Sequence, residues 1–142
     1  MKKIMLVFAI AMVSMACIAE DRPVAFDQLP SAAKEFINVN YPGEKISFAV
    51  VDDDLILPDY TVRLANGVEI TFEHSGSLEK ISARAGVPDG VVPVQIVDYV
   101  KSNYADALIV EYEVGRREFE VKLTNGLELK FNGSFRLIGI DD

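Results

Sequence analysis

The chain has 142 residues, half of them hydrophobic, with one cysteine, one histidine, no tryptophan and 22 acidic against 14 basic residues, a net charge of −8. Phosphate is held by clustered Lys and Arg, so an acidic chain argues against nucleic acid and anionic membrane surfaces as partners. A lone cysteine rules out an internal disulfide framework and a multi-thiolate metal site.

Lys2 and Lys3, the apolar stretch Ile4 to Val13 and the small-residue exit Ala16-Cys17-Ile18-Ala19 read as a secretory signal over residues 1–19, too short for a membrane span. Cleavage after Ala19 leaves a chain of net charge −10, because the leader takes two lysines and no acidic residue with it. The expected location is periplasmic or secreted, with no transmembrane span in the mature chain. The alternative is a lipoprotein anchored at Cys17; against it stands Ser14, three residues earlier, where such signals place an aliphatic side chain. Residues 20–25 are expected to be a linker, and residues 26–142 a single domain made of two repeats, 26–86 and 87–142.

Leu29, Ala33, Phe36, Ile37 and Tyr41 fall on one face of a helix that starts at Pro30 and stops at Pro42-Gly43. A strand from Ile46 to Val51 follows, then an acidic and apolar loop. Next comes the motif Tyr60-x-Val62-x-Leu64-x-Asn66-Gly67-x-Glu69-Ile70-x-Phe72, a turn dipeptide flanked by period-2 apolar residues, which is a strong hairpin signal. Leu78 to Ser82 forms the last strand of the unit. The order then recurs. Val92, Ile96, Tyr99, Val100 and Tyr104 repeat the helical stripe behind Pro93. Leu108 to Val114 is a strand whose phase stays open, and Phe119-x-Val121-x-Leu123-x-Asn125-Gly126-x-Glu128-Leu129-x-Phe131 repeats the hairpin 59 residues after the first. Phe135 to Ile140 closes the second unit.

The pattern also selects a register. A two-residue Asn-Gly loop would set Leu123 opposite Glu128 and mix apolar with charged side chains on one face. A three-residue loop with Gly126 in the left-handed conformation pairs Leu123 with Leu127, Val121 with Leu129 and Phe119 with Phe131. It leaves Lys122 opposite Glu128 and Glu120 opposite Lys130 on the other face. The first hairpin follows suit, with Val62 opposite Ile70, Arg63 opposite Glu69 and Thr61 opposite Thr71. The expected fold class is α+β: a tandem repeat of α-β-β-β-β units, with two helices packed on one face of an antiparallel sheet of up to eight strands.

In this order of residues, from Leu29-Pro30 and Phe36-Ile37-x-x-x-Tyr41-Pro42 through the two hairpins and Gly76, the chain resembles the secreted bacterial PepSY-like proteins grouped with the β-lactamase-inhibitor-like fold. The resemblance implies a curved sheet in the periplasm, and by looser analogy an inhibitory or regulatory role. It carries over no functional residue.

No grouping of residues points to catalysis. His74 and Ser75 are neighbours in a turn, where side chains diverge rather than align for proton transfer. There is no glycine-rich phosphate loop and no His-containing ligand pair, so no catalytic residue, cofactor or metal site is assigned. Asp52-Asp53-Asp54 lacks the alternating ligands and glycine bend of the best-known calcium loops. The same loop continues with Leu55, Ile56 and Leu57, three apolar residues at a tip, which either pack back on the core or meet a partner. The function expected is therefore non-enzymatic: an interaction module for an unknown protein or peptide of the cell envelope. Its candidate contact residues are Asp52, Asp53, Asp54, Leu55, Ile56 and Leu57 in the loop, with Arg63, Glu69, Thr71, Glu73, Glu120, Lys122, Glu128 and Lys130 on the open sheet face. The alternative is a module that binds a small ligand or peptide in the curve of the sheet or against a free edge, a reading that a well-formed apolar cavity lined by Tyr60, Tyr99 or Tyr112 would favour.

Overall fold

The structure is a computed structural model and describes residues 21–52 and 56–142. The secretory leader assigned to residues 1–19 lies outside the described residues.

Each Asn-Gly segment builds the turn its chemistry favours. The amide of Leu64 donates to Val68 O and that of Gly67 to Leu64 O, while Asn66 Oδ1 accepts from the amide of Val68. Leu123, Gly126 and Asn125 repeat these bonds with Leu127. Gly67 and Gly126 sit at φ +90° and +89°, a region that side chains with a Cβ rarely enter. The three-residue loops set the hairpin registers that the pairing argument requires. β3 (Asp59–Leu64) and β4 (Glu69–Phe72) align Val62 with Ile70 and Tyr60 with Phe72. β7 (Glu118–Leu123) and β8 (Glu128–Asn132) align Val121 with Leu129 and Phe119 with Phe131.

The remaining strands are β1 (Asp21–Pro23), β2 (Ile46–Asp52), β5 (Leu78–Ser82), β6 (Ile109–Val114) and β9 (Leu137–Asp141). They correct the expected architecture. Among the described residues nine strands form one antiparallel sheet in chain order, rather than a tandem of α-β-β-β-β units with two packed helices and at most eight strands. An added strand overturns the expected count, and a pairing that the pattern left open joins the halves into one sheet. Residues 21–23, expected within a linker, pair with β2 as a ninth strand, Arg22 opposite Val51. β5 then pairs with β6, Ile81 opposite Tyr112, so the sheet runs unbroken past residue 86. Joining the halves removes two exposed edges, which favours the single sheet.

The helices α1 (Ser31–Asn40) and α2 (Val94–Asn103) are short, ten residues each. Pro30 and Pro93 precede them in extended geometry, ψ 147° and 137°, and so cap the helices instead of occupying their first turns. Both helices end alike: Asn40 Nδ2 donates to Phe36 O and Asn103 Nδ2 to Tyr99 O, each side chain bonding back one turn onto its own helix.

One continuous core results. Val62, Ile70, Phe72, Ile81, Val121, Leu129 and Phe131 of the sheet are fully buried, joined by Ala33 and Ile37 of α1 and Ile96, Val97 and Val100 of α2. Phe36 meets Phe72 edge-on at 5.6 Å and Tyr99 meets Phe131 at 5.5 Å, contacts that contribute about 0.5–1.5 kcal/mol each beyond burial.

Candidate functional site

The face of the sheet opposite this core is polar because the pleat alternates, and the strand registers arrange its side chains in crosswise rows. One row runs Phe48, Arg63, Glu69, Ser82, Glu111, Lys122, Glu128, Asp141. The next runs Val50, Thr61, Thr71, Lys80, Glu113, Glu120, Lys130, Gly139. Seven of the candidate contact residues lie in these two rows: Arg63, Glu69, Lys122 and Glu128 in the first, Thr71, Glu120 and Lys130 in the second.

Ion pairs form on this face within an excess of acid, since the two rows hold six carboxylates and four basic side chains. Arg63 is 2.9 Å from Glu69, Lys80 Nζ is 4.0 Å from Glu111, and Lys130 Nζ is 3.8 Å from Asp141. Lys130 thus stands opposite Glu120 in the ladder, as the register requires, while its ion pair is with Asp141. Burial raises the Glu120 pKa first, and the Glu128 carboxylate, hydrogen-bonded to it and repelling it, raises it further against the pull of Lys130. Thr61 and Thr71 hydroxyls lie 3.4 Å apart.

The other candidates occupy the rim. Glu73 is exposed in the turn after β4, its amide donating to Ser77 O. Asp52 ends β2 opposite Asp59. Ile56 is wholly exposed and Leu57 is 55% exposed; Asp53, Asp54 and Leu55 lie outside the described residues. The structure adds carboxylates that the pattern hid. Glu79 joins Asp21, Asp52, Asp59 and Glu113 around a concavity of about 330 Å³, at the lower end of ligand-sized sites. Desolvation raises the Glu79 pKa first and the Asp59 carboxylate next, and its Oε2 is buried without a hydrogen-bond partner. The register shift between β4 and β5 is the reason Glu79 was missed, since it breaks the strict alternation that sequence reading relies on. Phe48 is the other omission: a bulge in β2 turns this half-exposed aromatic onto the polar face beside Arg63.

Tyr112 lies in the core at 3% exposure, and burial pushes its phenol up to about 12, so it neither gains nor loses a proton near neutrality. Ser75 Oγ is engaged with Ser77 within the turn, 3.2 Å away, rather than with His74. Among the described residues no group of three or more His, Cys, Asp or Glu side chains is arranged to hold a metal ion.

A family model described as beta-lactamase-inhibitor-like, PepSY-like matches residues 17–80 and again residues 58–139. The chain belongs to this PepSY-like family. Solved structures of similar proteins agree with the membership. A protein of the DUF2874 family from Bacteroides vulgatus, described as periplasmic, is 35% identical, with 87% of this chain and 98% of that one covered and a TM-score of 0.83. A protein from Bacteroides thetaiotaomicron, described as periplasmic and calcium-regulated, is 34% identical over 86% of this chain and 97% of its own, with a TM-score of 0.83. A third, from Bacteroides vulgatus and described as periplasmic and of unknown function, is 30% identical over 86% and 99%, with a TM-score of 0.81. No curated protein matches this chain. These three similar proteins are described as periplasmic, and among the described residues no helix of this chain is long and apolar enough to cross a membrane.

Proposed function

We propose that this PepSY-like chain is a non-enzymatic interaction module of the cell envelope, exported by its leader, that binds another protein through the open face of its sheet, with an inhibitory effect as one outcome of that binding. The observation that carries the reading is the face itself: a surface that no helix covers among the described residues, with two rows of interleaved basic, acidic and hydroxyl side chains, crossed by the Arg63–Glu69 ion pair. Such a pattern fixes the orientation of a protein partner and rejects wrong ones by misplaced charge. Ile56 and Leu57 stand at the rim as apolar anchors beside it. The concavities on this face are lined mainly by charged and polar residues, including Arg63, Glu69, Thr71 and Lys80, and Tyr112 is part of the core. Both facts favour a protein surface over a pocket for an apolar ligand. The engagement of Ser75 with Ser77 instead of His74 supports the non-enzymatic reading.

Capture of partners from the native periplasm tests it. The reading expects one partner to be retained by the wild-type chain and lost by the triple variant Arg63→Glu, Lys122→Glu, Lys130→Glu. A parallel variant, Leu55→Ser, Ile56→Ser, Leu57→Ser, reports on the loop. Identical partner sets from wild type and the face variant would reject the open face as the site. The same preparation reports on export: a mature chain beginning at Glu20 supports cleavage after Ala19, and a lipid-modified N-terminal Cys17 supports the anchored form.

A further inference from the structure

We propose that strand β9 pairs with β9 of a second copy, antiparallel and centred on Gly139, giving a symmetric dimer with one sheet running through both. The two edges of the nine-stranded sheet differ in construction. β1 forms one edge with three exposed residues, including Pro23, which has no N–H to offer an incoming strand. β9 forms the other with Leu137-Ile138-Gly139-Ile140-Asp141, which has neither proline nor lysine to blunt it. Ile138 and Ile140 are 53% and 49% exposed there, among the few large hydrophobic residues left open. A bulge at Ile138 and the charge of Asp141 narrow this edge to the short apolar stretch Ile138 to Ile140, beyond which no strand lies among the described residues, and such a stretch can template another strand.

The flanking sequence selects which strand. A two-fold axis through Gly139 sets Ile138 opposite Ile140 of the second copy and Arg136 opposite Asp142 of the second copy, and symmetry repeats both pairs. Arg136 and Asp142 are both exposed. The segment is thus basic at one end, apolar in the middle and acidic at the other, so antiparallel alignment matches its isoleucines and its outer charges; it also sets Leu137 opposite Asp141, which keeps its ion pair with Lys130 of its own chain. In parallel alignment Arg136 would face Arg136. This charge match commits the edge to a second copy instead of an arbitrary extended peptide. The register shift between β8 and β9 keeps the pairing short, so the association is weak and concentration-dependent.

Sedimentation velocity on the purified protein from about 10 µM to about 1 mM, the range in which small interfaces associate, supplies the test. The proposal expects a monomer–dimer equilibrium that Ile138→Lys with Ile140→Lys abolishes while the urea midpoint stays near wild type. Arg136→Asp or Asp142→Arg alone each turn two attractive pairs repulsive and weaken dimerisation on the order of tenfold. Combining them in one chain restores both pairs with reversed sign and recovers the wild-type constant. A chain monomeric at every concentration, a dimer indifferent to the two Lys substitutions, or a combined variant no better than the singles would each overturn it.

Discussion

Gly76 offers the sharpest test of how the turn after β4 meets the first helix. It is buried at φ +91°, and a Cβ built there would lie 2.9 Å from Pro30 Cβ, 3.0 Å from Ala32 Cβ and 3.0 Å from the backbone nitrogen of Ala33. None of these atoms is the far end of a flexible side chain, so the turn or the helix has to move. Gly76→Ala therefore carries two costs: about 1–2 kcal/mol for placing a Cβ at positive φ and about 1–3 kcal/mol for overpacking. Gly67 has nearly the same φ, +90°, with nothing within 4 Å of the built Cβ. Gly67→Ala isolates the first cost. Urea unfolding of both variants, with m unchanged, should show Gly76→Ala losing more by about 1–3 kcal/mol, a further midpoint shift on the order of 1 M. Equal losses would refute the close packing of the turn on α1 and leave only backbone strain.

Other expectations rest on different parts of the molecule. Phe131→Ala removes a fully buried ring that also meets Tyr99, and should cost about 3–5 kcal/mol in urea unfolding. Arg63→Ala breaks an ion pair whose members are 46% and 43% exposed, so stability should change by no more than about 1 kcal/mol, while partner capture falls. Glu79 has a folded pKa raised by desolvation and by the Asp59 carboxylate. Its contribution is therefore fully present below the unfolded value of about 4.3 and lost as pH rises through the folded value. Glu79→Gln, which mimics the protonated form, should raise the melting temperature over wild type at neutral pH and match it at about pH 4. A variant less stable at neutral pH would contradict that sign.

Legibility in the sequence followed local chemistry. The Asn66-Gly67 and Asn125-Gly126 loops fix hairpin register through one positive-φ glycine and one Asn side chain, so Val62 opposite Ile70 and Val121 opposite Leu129 were readable from residue type alone. Where the ladder shifts, the alternating pattern misleads. β6 shifts between Ile109 and Glu111, and for that reason the phase of Leu108 to Val114 was open. Phe135 was read as the start of the last strand, yet it sits at φ +62° in the turn, stacked 5.2 Å from Phe119, and β9 begins at Leu137. β1 carries no periodic signal because Asp21-Arg22-Pro23 is exposed throughout. That missing strand separates the observed nine-stranded sheet from the expected units, while the β5–β6 pairing that joins the halves carries no signal in residue pattern. On the open face the charged residues of β3, β4, β7 and β8 were legible because they alternate with core residues, whereas Glu79 and Phe48 were hidden by bulges in β5 and β2.

The claim that the open face is the working surface is tested most directly by site-specific photo-crosslinking in the periplasm. Crosslinkers placed at Thr71 and Lys122 on that face are compared with one at Val39, which is 69% exposed on α1. The account predicts the same protein partner trapped from Thr71 and Lys122 and not from Val39. Trapping from Val39 with none from the two sheet positions would contradict it.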